Sequence, residues 1–297
     1  MIVDVHSHLM WYPEHLSETF ASEALAAKLV KLERSEGAAY GARLDLHSYD
    51  STPETHWAAS QTADRTAVFG IQARATGIWV PNDLIADYVA AHPDRLVGWA
   101  SVDPSAPDAV AELDRCVLEL GLRGLKVGPA YQHFDPTDRA VWPLFERAQH
   151  HGIPVIWHQG ATFPSAGDLR DSNPLLLEPI AQAFPDLRMI VAHLGHPWEE
   201  DLIVLLRKTP NLYADISALH YRPYRYWHAM ATALEYGVTH KLLLGSDFPS
   251  ATLDQVIAGL RRVNDVVDGT RLPRIPESVQ ERIIGENWRA ALPEFES

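Results

Sequence analysis

The segment Ile2-Val3-Asp4-Val5-His6-Ser7-His8 runs from β-branched apolar residues directly into two histidines. Its apolar part predicts a strand at residues 2–5, and side chains two residues apart in an extended chain lie on the same face. His6 and His8 are therefore expected to point the same way, with Asp4 one layer deeper. Two imidazoles placed like this can bind one metal ion, at about 2.0–2.1 Å each for zinc. Asp4 could orient one of them through a hydrogen bond.

Seven more short apolar runs follow along the chain, at residues 67–71, 96–102, 124–127, 154–157, 188–192, 212–216 and 241–244. Amphipathic stretches predict helices between them, at residues 82–91, 106–120, 139–151, 173–184, 197–208, 224–236 and 252–264. Two further helices are expected in the C-terminal tail, at residues 276–284 and 286–292. Strands that alternate with helices are typical of βα units on a parallel sheet. Eight such units favour a (β/α)8 TIM barrel, with a doubly wound open sheet as the alternative.

The stretch from residue 9 to residue 64 is too long for a simple connection between the first two strands. A helix is expected at residues 21–36 and a loop at residues 48–56. We interpret the stretch as a helical and loop insertion at the mouth of the barrel. Because no linker-like boundary interrupts the chain, residues 1–297 are expected to form one domain. At the predicted helix 197–208, Pro197 is expected in the first position.

The charge balance disfavours two classes of partner. Lys and Arg number 25 against 39 Asp and Glu, which gives a net charge of −14. Nucleic acid and anionic membrane surfaces would repel such a protein at long range, so a small-molecule substrate is expected. Cys116 is the only cysteine, so no internal disulfide can form. The N-terminus lacks a signal-peptide pattern and no apolar run is long enough for a membrane helix, so a cytoplasmic location is expected.

Three of the later strands also end in residues that bind metals or move protons. Pro154-Val-Ile-Trp-His158 ends in histidine, as does Arg188-Met-Ile-Val-Ala-His193, and Lys241-Leu-Leu-Leu-Gly-Ser-Asp247 ends in aspartate. In a barrel of parallel strands these carboxyl ends meet at one rim, where active sites lie. A buried apolar strand has little structural reason to end in an ionisable residue. The pattern therefore predicts a metal or acid–base site at this rim.

The chain resembles the amidohydrolase superfamily. It is most similar to the amidohydrolase-related branch that includes aminocarboxymuconate-semialdehyde decarboxylase and related aromatic-acid decarboxylases and hydrolases. The resemblance runs nearly end to end and is carried by Asp4-x-His6-x-His8, Gly124-Leu-Lys126, His158, His193-Leu-Gly-His196-Pro-Trp198, Asn211-Leu-Tyr-Ala-Asp215, Gly245-Ser-Asp247-Phe-Pro249 and Gly285-Glu-Asn287-Trp-Arg289.

This resemblance implies a single divalent metal, commonly zinc, with manganese, iron or cobalt as alternatives. The implied ligands are His6, His8, His158 and Asp247, together with a water that the metal activates. His193 matches the catalytic histidine of the family, and Asp247 can also move a proton beside the metal. A homodimer is expected from the resemblance alone.

Lys126 is open to two interpretations. It ends the fourth strand, where binuclear amidohydrolases carry a carboxylated lysine that bridges two metals. His158 and His193 would then hold the second metal. The favoured alternative is a lysine paired with a nearby carboxylate, its stem packed in the barrel. The branch that this chain resembles most is mononuclear.

Residues expected to contact substrate lie on loops at the same rim, namely Trp11, Tyr131, Phe163, His196, Trp198 and Arg222. Such a mouth would suit a planar or apolar organic substrate. The aromatic residues could instead simply pack the loops. His196 could instead cap the helix that follows it. Arg222 could bind a substrate carboxylate as a fork, or lie on the surface.

Two chemistries remain open for this site. The leading hypothesis is a metal-dependent hydrolase of a small lactone, ester or amide. The alternative is a non-oxidative decarboxylase of an aromatic or unsaturated acid. In decarboxylases of this branch the histidine that matches His158 is typically followed by proline, whereas Gln159 follows here, which favours hydrolysis. A barrel that only binds a ligand is a remote third hypothesis.

Overall fold

The computed structural model describes residues 1–36 and 44–296. Its ten strands are β1 (Val3–His8), β2 (Arg65–Phe69), β3 (Gln72–Ala73), β4 (Ile78–Trp79), β5 (Leu96–Ser101), β6 (Leu125–Val127), β7 (Val155–Trp157), β8 (Met189–Val191), β9 (Leu212–Asp215) and β10 (Leu242–Leu243). Eight of them form one sheet in the order β1-β2-β5-β6-β7-β8-β9-β10, and each recorded pair within it is parallel. All eight predicted strands are therefore confirmed.

The sheet closes on itself between its first and last strands. The Val5 amide donates to the Leu244 carbonyl at 3.0 Å, and the His8 amide donates to the Phe248 carbonyl at 2.9 Å. Ser7 and Phe248 form a parallel bridge at the same seam. The closed eight-stranded barrel confirms the TIM-barrel prediction and excludes the open doubly wound sheet.

Helices separate the strands, as predicted. They are α1 (Glu18–Glu36), α2 (Pro53–Ala59), α3 (Asn82–Ala90), α4 (Ala109–Leu118), α5 (Pro129–Gln132), α6 (Trp142–His150), α7 (Glu178–Ala183), α8 (Glu199–Lys208), α9 (Pro223–Glu235), α10 (Leu253–Arg261), α11 (Glu277–Gly285) and α12 (Trp288–Ala291). None of these helices is long and apolar enough to cross a membrane. The prediction for Pro197 is wrong, because α8 begins at Glu199 and Trp198 occupies the N-cap position.

The stretch after β1 differs from its prediction in two places. The expected loop at 48–56 ends early, because α2 begins at Pro53. Thr52 caps this helix and forms a reciprocal capping box with Thr55, a pattern that favours helix initiation. Sequence analysis also missed the antiparallel hairpin of β3 and β4. The predicted helix 21–36 is confirmed as α1, which begins three residues earlier at Glu18.

The C-terminal tail closes one end of the barrel. A buried cluster joins strand residues such as Val5, Trp99 and Ile190 to Trp288 and Phe295 of the tail. The Trp288 indole also donates to the Met1 carbonyl at 3.1 Å, beside the start of β1. Since this end is plugged by side chains, the carboxyl ends of the strands at the opposite end remain for a site.

Candidate active site

Three predicted ligands meet where β1 and β10 end. The Nε2 atoms of His6 and His8 lie 3.1 Å apart. Asp247 Oδ1 lies 3.2 Å from His6 Nε2 and 3.3 Å from His8 Nε2. Donor atoms around a tetrahedral zinc ion are about 3.3 Å apart, given bond lengths of about 2.0–2.1 Å. The spacing and chemistry of these three donors therefore fit a single divalent metal ion.

The backbone around Asp247 lets the segment after β10 approach the end of β1 closely. Asp247 has a φ of +56°, in the left-handed region that costs free energy for residues other than glycine. Its amide donates to the His6 carbonyl at 2.7 Å, which holds this conformation. A Cβ on Gly245 would lie only 2.9 Å from the Cβ of His6, so glycine lets the two chain segments approach. His193 has a φ of +57°, so both predicted catalytic residues have this unusual backbone.

Asp215 organises two of the histidines, a role that the sequence analysis missed. Its Oδ2 accepts a 2.8 Å hydrogen bond from His6 Nδ1, and its Oδ1 accepts one of 3.1 Å from the His193 amide. Asp215 is completely buried. Burial alone would raise the pKa of its carboxyl, but the charge and hydrogen bond of His6 hold that pKa well below its ordinary value. The signals in the sequence were a strand that ends in aspartate and the Asn211–Asp215 motif of the resemblance.

This carboxylate also fixes the tautomer of His193. The Ser217 hydroxyl donates to Asp215, so it must accept the 2.7 Å hydrogen bond from His193 Nδ1. The Nδ1 atoms of both His6 and His193 therefore carry hydrogens, and their Nε2 atoms carry lone pairs. A lone pair at Nε2 is what a metal ligand or a general base requires.

Asp4 acts on the backbone rather than on an imidazole. Its Oδ1 accepts hydrogen bonds from the amides of His6, at 3.1 Å, and Ser246, at 2.9 Å. Burial raises the pKa of the Asp4 carboxyl to about 7. Asp4 thus ties the end of β1 to the segment after β10, while Asp215 orients the ring that Asp4 was expected to orient.

His193 and His158 lie beside the three donors. His6, His193 and Asp247 each offer a ligand atom within 4.8 Å of the others. The rings of His158 and His193 pack edge to face with their centres 5.1 Å apart. His158 Nε2 lies 3.2 Å from the Ala161 carbonyl, so this nitrogen faces the backbone rather than the donors. Burial lowers the pKa of His193 to about 4, which keeps its imidazole neutral near pH 7.

Lys126 lies on β6 with its side chain buried. Its Nζ has no hydrogen-bond partner among the described residues, and it lies 5.1 Å from the centre of the Phe69 ring. Burial lowers the pKa of this ammonium to about 8, although the charges of Asp247 and Asp215 oppose the shift. The expected pairing with a nearby carboxylate is therefore not formed as a hydrogen-bonded contact. The bridging role of a carboxylated Lys126 stays a prediction.

The metal-donor atoms of His6, His8 and Asp247 are called the donor cluster below. A cavity of about 260 Å³ opens beside this cluster. Four of the six residues expected to contact substrate line it, namely Tyr131, Phe163, His196 and Arg222. Trp11 and Trp198 are not among its lining residues. The Trp11 ring packs instead against His15, with ring centres 4.1 Å apart. Arg222 is therefore a cavity residue rather than a surface one.

His196 lines the cavity and also pairs with the helix that follows it. Its Nδ1 lies 2.6 Å from Glu199 Oε1, and the Glu199 side chain is nearly completely buried. The side chain of His196 does not cap α8, whose N-cap residue, Trp198, makes no capping hydrogen bond. Of the two roles that the sequence left open, the cavity position is the one that the structure supports.

The sequence analysis also missed the contribution of α1 to the cavity. Phe20, Ala24, Ala27, Lys28 and Lys31 of this helix all line it. Their spacing places them on one helical face. The signal was present as an apolar stripe that ends in two lysines. It was not recognised because nothing in the sequence showed which way the inserted helix faces.

A family model described as Amidohydrolase matches residues 3–293. The chain belongs to the amidohydrolase family. The predicted resemblance is thereby confirmed, and the protein is an enzyme of this superfamily with a TIM-barrel fold.

Curated relatives of this amidohydrolase are mostly decarboxylases. A gamma-resorcylate decarboxylase of Polaromonas sp. is 28% identical over 144 residues, which cover 38% of this chain and 43% of that protein. A 2-amino-3-carboxymuconate-6-semialdehyde decarboxylase of Dictyostelium discoideum is 35% identical over 78 residues, covering 26% and 22%. A 2-keto-4-carboxy-3-hexenedioate hydratase of Sphingobium sp. is 31% identical over 134 residues, covering 38% and 39%. The matches span less than half the length of these relatives. They support the decarboxylase alternative better than the hydrolase hypothesis.

Solved structures share the fold over the whole chain. An uncharacterized TIM-barrel protein of Bordetella bronchiseptica has a TM-score of 0.73 at 21% identity, covering 100% of this chain and 99% of that one. A probable 2-pyrone-4,6-dicarboxylic acid hydrolase of Acinetobacter baumannii has a TM-score of 0.66 at 15% identity, covering 98% and 99%. A 5-carboxyvanillate decarboxylase of Novosphingobium aromaticivorans with bound manganese has a TM-score of 0.65 at 14% identity, covering 100% and 97%.

Proposed function

We propose that this amidohydrolase is a metal-dependent, non-oxidative decarboxylase of an aromatic or unsaturated carboxylic acid. The observation that carries the proposal is a cavity lined by the donors His8 and Asp247, with the buried His6 in contact with both, and by apolar, aromatic and cationic residues. Such a cavity suits a planar organic acid, because its walls match the ring and its charges match the carboxylate.

The metal would be held by His6, His8 and Asp247, with His158 as the proposed fourth ligand. When bound, a divalent ion supplies a Lewis acid that polarises an oxygen of the substrate. Zinc and manganese both accept this mixture of imidazole and carboxylate ligands. Asp215 keeps the His6 ring in the ligand orientation through its hydrogen bond to Nδ1.

The cavity walls favour loss of carbon dioxide. Phe20, Ile71, Ile78 and Phe163 contribute apolar surface to the lining. An apolar wall disfavours a charged carboxylate relative to neutral carbon dioxide, because burial of a charge costs free energy. When the carbon–carbon bond breaks, its electron pair stays on the substrate carbon.

That carbon must then gain a proton. Asp247 of the donor cluster and the neighbouring His193 both line the cavity. We assign delivery of this proton to Asp247, which first takes it up from a substrate hydroxyl or from water. We assign the relay of protons to His193, whose Nε2 carries the lone pair that this requires. General acid–base groups of this kind contribute a factor of about 10²–10⁴ to rate.

The proposal is tested by the product. Metal-loaded enzyme is incubated with 2,6-dihydroxybenzoate, 5-carboxyvanillate and related aromatic and unsaturated acids, and carbon dioxide and residual acid are both measured. We expect one carbon dioxide per acid consumed, abolished by a chelator and restored by a divalent ion. The matched control is Asp114→Asn, which removes a surface carboxylate that pairs with Arg147 and should leave the rate unchanged. An acid consumed without carbon dioxide would contradict decarboxylation.

Hydrolysis is the second candidate, and specific observations favour it. Gln159 follows His158 where decarboxylases of this branch typically have proline, and the neutral His193 with its Nε2 lone pair can accept a proton from water. A pyrone dicarboxylate added to the same panel distinguishes the two chemistries. Hydrolysis would incorporate one ¹⁸O from labelled water into the opened product and release no carbon dioxide.

A further inference from the structure

Two lysines of α1 reach the cavity one helical turn apart. Lys28 and Lys31 both line it, next to the apolar residues Phe20, Ala24 and Ala27 of the same helix. Arg222 joins them from the segment before α9. Asp247 is the only carboxylate among the described lining residues. The cavity wall is therefore cationic, although the protein as a whole has a net charge of −14.

Backbone carbonyls hold the three cations in place. Lys28 Nζ donates to the Ser48 carbonyl and Lys31 Nζ to the Ser250 carbonyl. Arg222 Nη1 donates to the Ala218 carbonyl at 2.5 Å. Within the described residues, neither Lys28 nor Arg222 forms an ion pair with a carboxylate. Carbonyl partners orient Lys28 and Arg222, and no described carboxylate compensates the charges of these two groups.

Tyr221 brings two of the cations together. Lys31 Nζ lies 4.2 Å from the centre of its ring and the Arg222 guanidinium carbon lies 4.4 Å from the same point. Burial and repulsion from Lys28 and Arg222 lower the pKa of Lys31 to about 8, while Asp247 opposes the shift. Gathering like charges in a partly dehydrated wall costs free energy, which an anionic ligand offsets.

We propose that Lys28, Lys31 and Arg222 form a second acid-binding subsite, so that the cavity selects dicarboxylic acids. One carboxylate of the substrate lies at the donor cluster of His6, His8 and Asp247, and the other lies at this cationic subsite. The inference rests on the proposed function, because it names the substrate class of the same cavity. The three cations determine specificity, and the reacting atoms remain with the donor cluster.

Binding, measured separately from turnover, tests the subsite. Calorimetry on the metal-loaded enzyme compares benzoate with benzene-1,3-dicarboxylate and benzene-1,4-dicarboxylate. We expect at least one dicarboxylate to bind at least tenfold more tightly than benzoate. Arg222→Gln and Lys31→Met should each lower the affinity for that dicarboxylate at least tenfold and change the affinity for benzoate less than twofold. Hydrogen bonds to charged groups contribute enough free energy for an effect of this size.

Matched controls each remove one arginine or lysine charge outside the cavity. Arg262→Gln and Lys208→Met alter exposed side chains that pair with Asp265 and Glu178 and do not line the cavity. They should leave both affinities unchanged. Circular dichroism and thermal melting verify that every variant is folded.

Three results would overturn the subsite. The first is a wild type that binds benzoate and both dicarboxylates with equal affinity. The second is a folded cavity variant that loses affinity equally for benzoate and for the dicarboxylate. The third is a surface control that loses as much dicarboxylate affinity as the cavity variants do. Dicarboxylate selectivity without carbon dioxide release would leave the subsite standing and contradict the decarboxylase. Rapid release of carbon dioxide from monocarboxylic acids, without selective binding of dicarboxylates, would support the decarboxylase and contradict the subsite.

Discussion

His6 Nδ1 donates a 2.8 Å hydrogen bond to Asp215 Oδ2, and neither side chain is exposed to solvent. This contact joins the first strand of the barrel to β9, which are far apart in sequence. Because the same carboxylate also accepts the His193 amide, one buried charge positions a candidate metal ligand and a candidate catalytic residue together. Removing that charge should therefore disturb both functions.

We expect Asp215→Asn to lower the affinity for zinc about 10–100-fold, the usual effect of losing a hydrogen-bond partner of a metal ligand. An amide cannot accept from His6, His193 and Ser217 as the carboxylate does. Competition with a chromogenic chelator measures the affinity, and thermal melting verifies the fold. Asp114→Asn is the matched control at the surface. Unchanged zinc affinity in folded Asp215→Asn would show that this contact does not organise the site.

His158→Ala tests the fourth proposed ligand. The structure places His158 against His193 but turns its Nε2 to the Ala161 carbonyl. If a small rotation of the ring completes the metal site, the variant should lose at least tenfold in metal affinity, since one of four protein ligands is gone. His151→Ala, in which the lost imidazole pairs with Asp114 outside the cavity, should bind metal normally. Full affinity in His158→Ala would leave a site with three protein ligands.

Lys126→Met should stabilise the protein at pH 7. Burial lowers the folded-state pKa of Lys126 to about 8, from an ordinary value of 10.5. Between these values the unfolded chain keeps a proton that the folded chain has lost, so the wild-type free energy of unfolding should rise with pH across this window. The variant should lack that rise and be more stable at pH 7 by up to about 3 kcal/mol. A bound divalent ion would also repel the Lys126 ammonium, so the variant would still be the more stable protein.

Chemical denaturation at pH 7 and pH 10 checks this difference. Lys241→Met is an informative contrast, because Lys241 Nζ donates to the carbonyls of Leu206 and Thr209 and its loss should destabilise the fold. A carboxylated Lys126 gives a different result. The wild type would then hold two metal ions per chain, and Lys126→Met would lose metal instead of only gaining stability.

Dicarboxylate binding should weaken as pH rises through about 8. Burial lowers the pKa of Lys31 to about 8, so its positive charge is lost above that value. Among the described residues, the charges and ionisable groups around it include Lys28, Arg222, Asp247, His220 and the tyrosines 49 and 221. An arginine side chain in a protein keeps its charge at any accessible pH. Lys31→Arg should therefore bind the dicarboxylate with little change from pH 7 to pH 9. The same decline in Lys31→Arg would assign the titration to another group.

The sequence was sufficient to predict the barrel and the three residues of the donor cluster. The eight strands could be predicted because each is a short, mostly apolar run, and seven of the eight contain β-branched residues. His6, His8 and Asp247 could be predicted because they end strands, and parallel strands bring their carboxyl ends to one rim. The unpredicted residues act through contacts that the sequence does not encode locally.

Asp215 also ends a strand, but its partners His6 and His193 are distant in sequence, so its role required the closed barrel. Lys28 and Lys31 lie in an insertion whose orientation depends on tertiary packing. Trp11 and Trp198 were predicted from their residue type and their place on loops at the rim, but neither of them lines the cavity. The homodimer and the cytoplasmic location stay predictions.

Elemental analysis of protein purified without chelator tests the central claim most directly. If His6, His8 and Asp247 hold the metal of a mononuclear enzyme, the wild type should contain about one divalent ion per chain. A folded protein that contains no metal, and takes up none after incubation with zinc or manganese, would contradict the account.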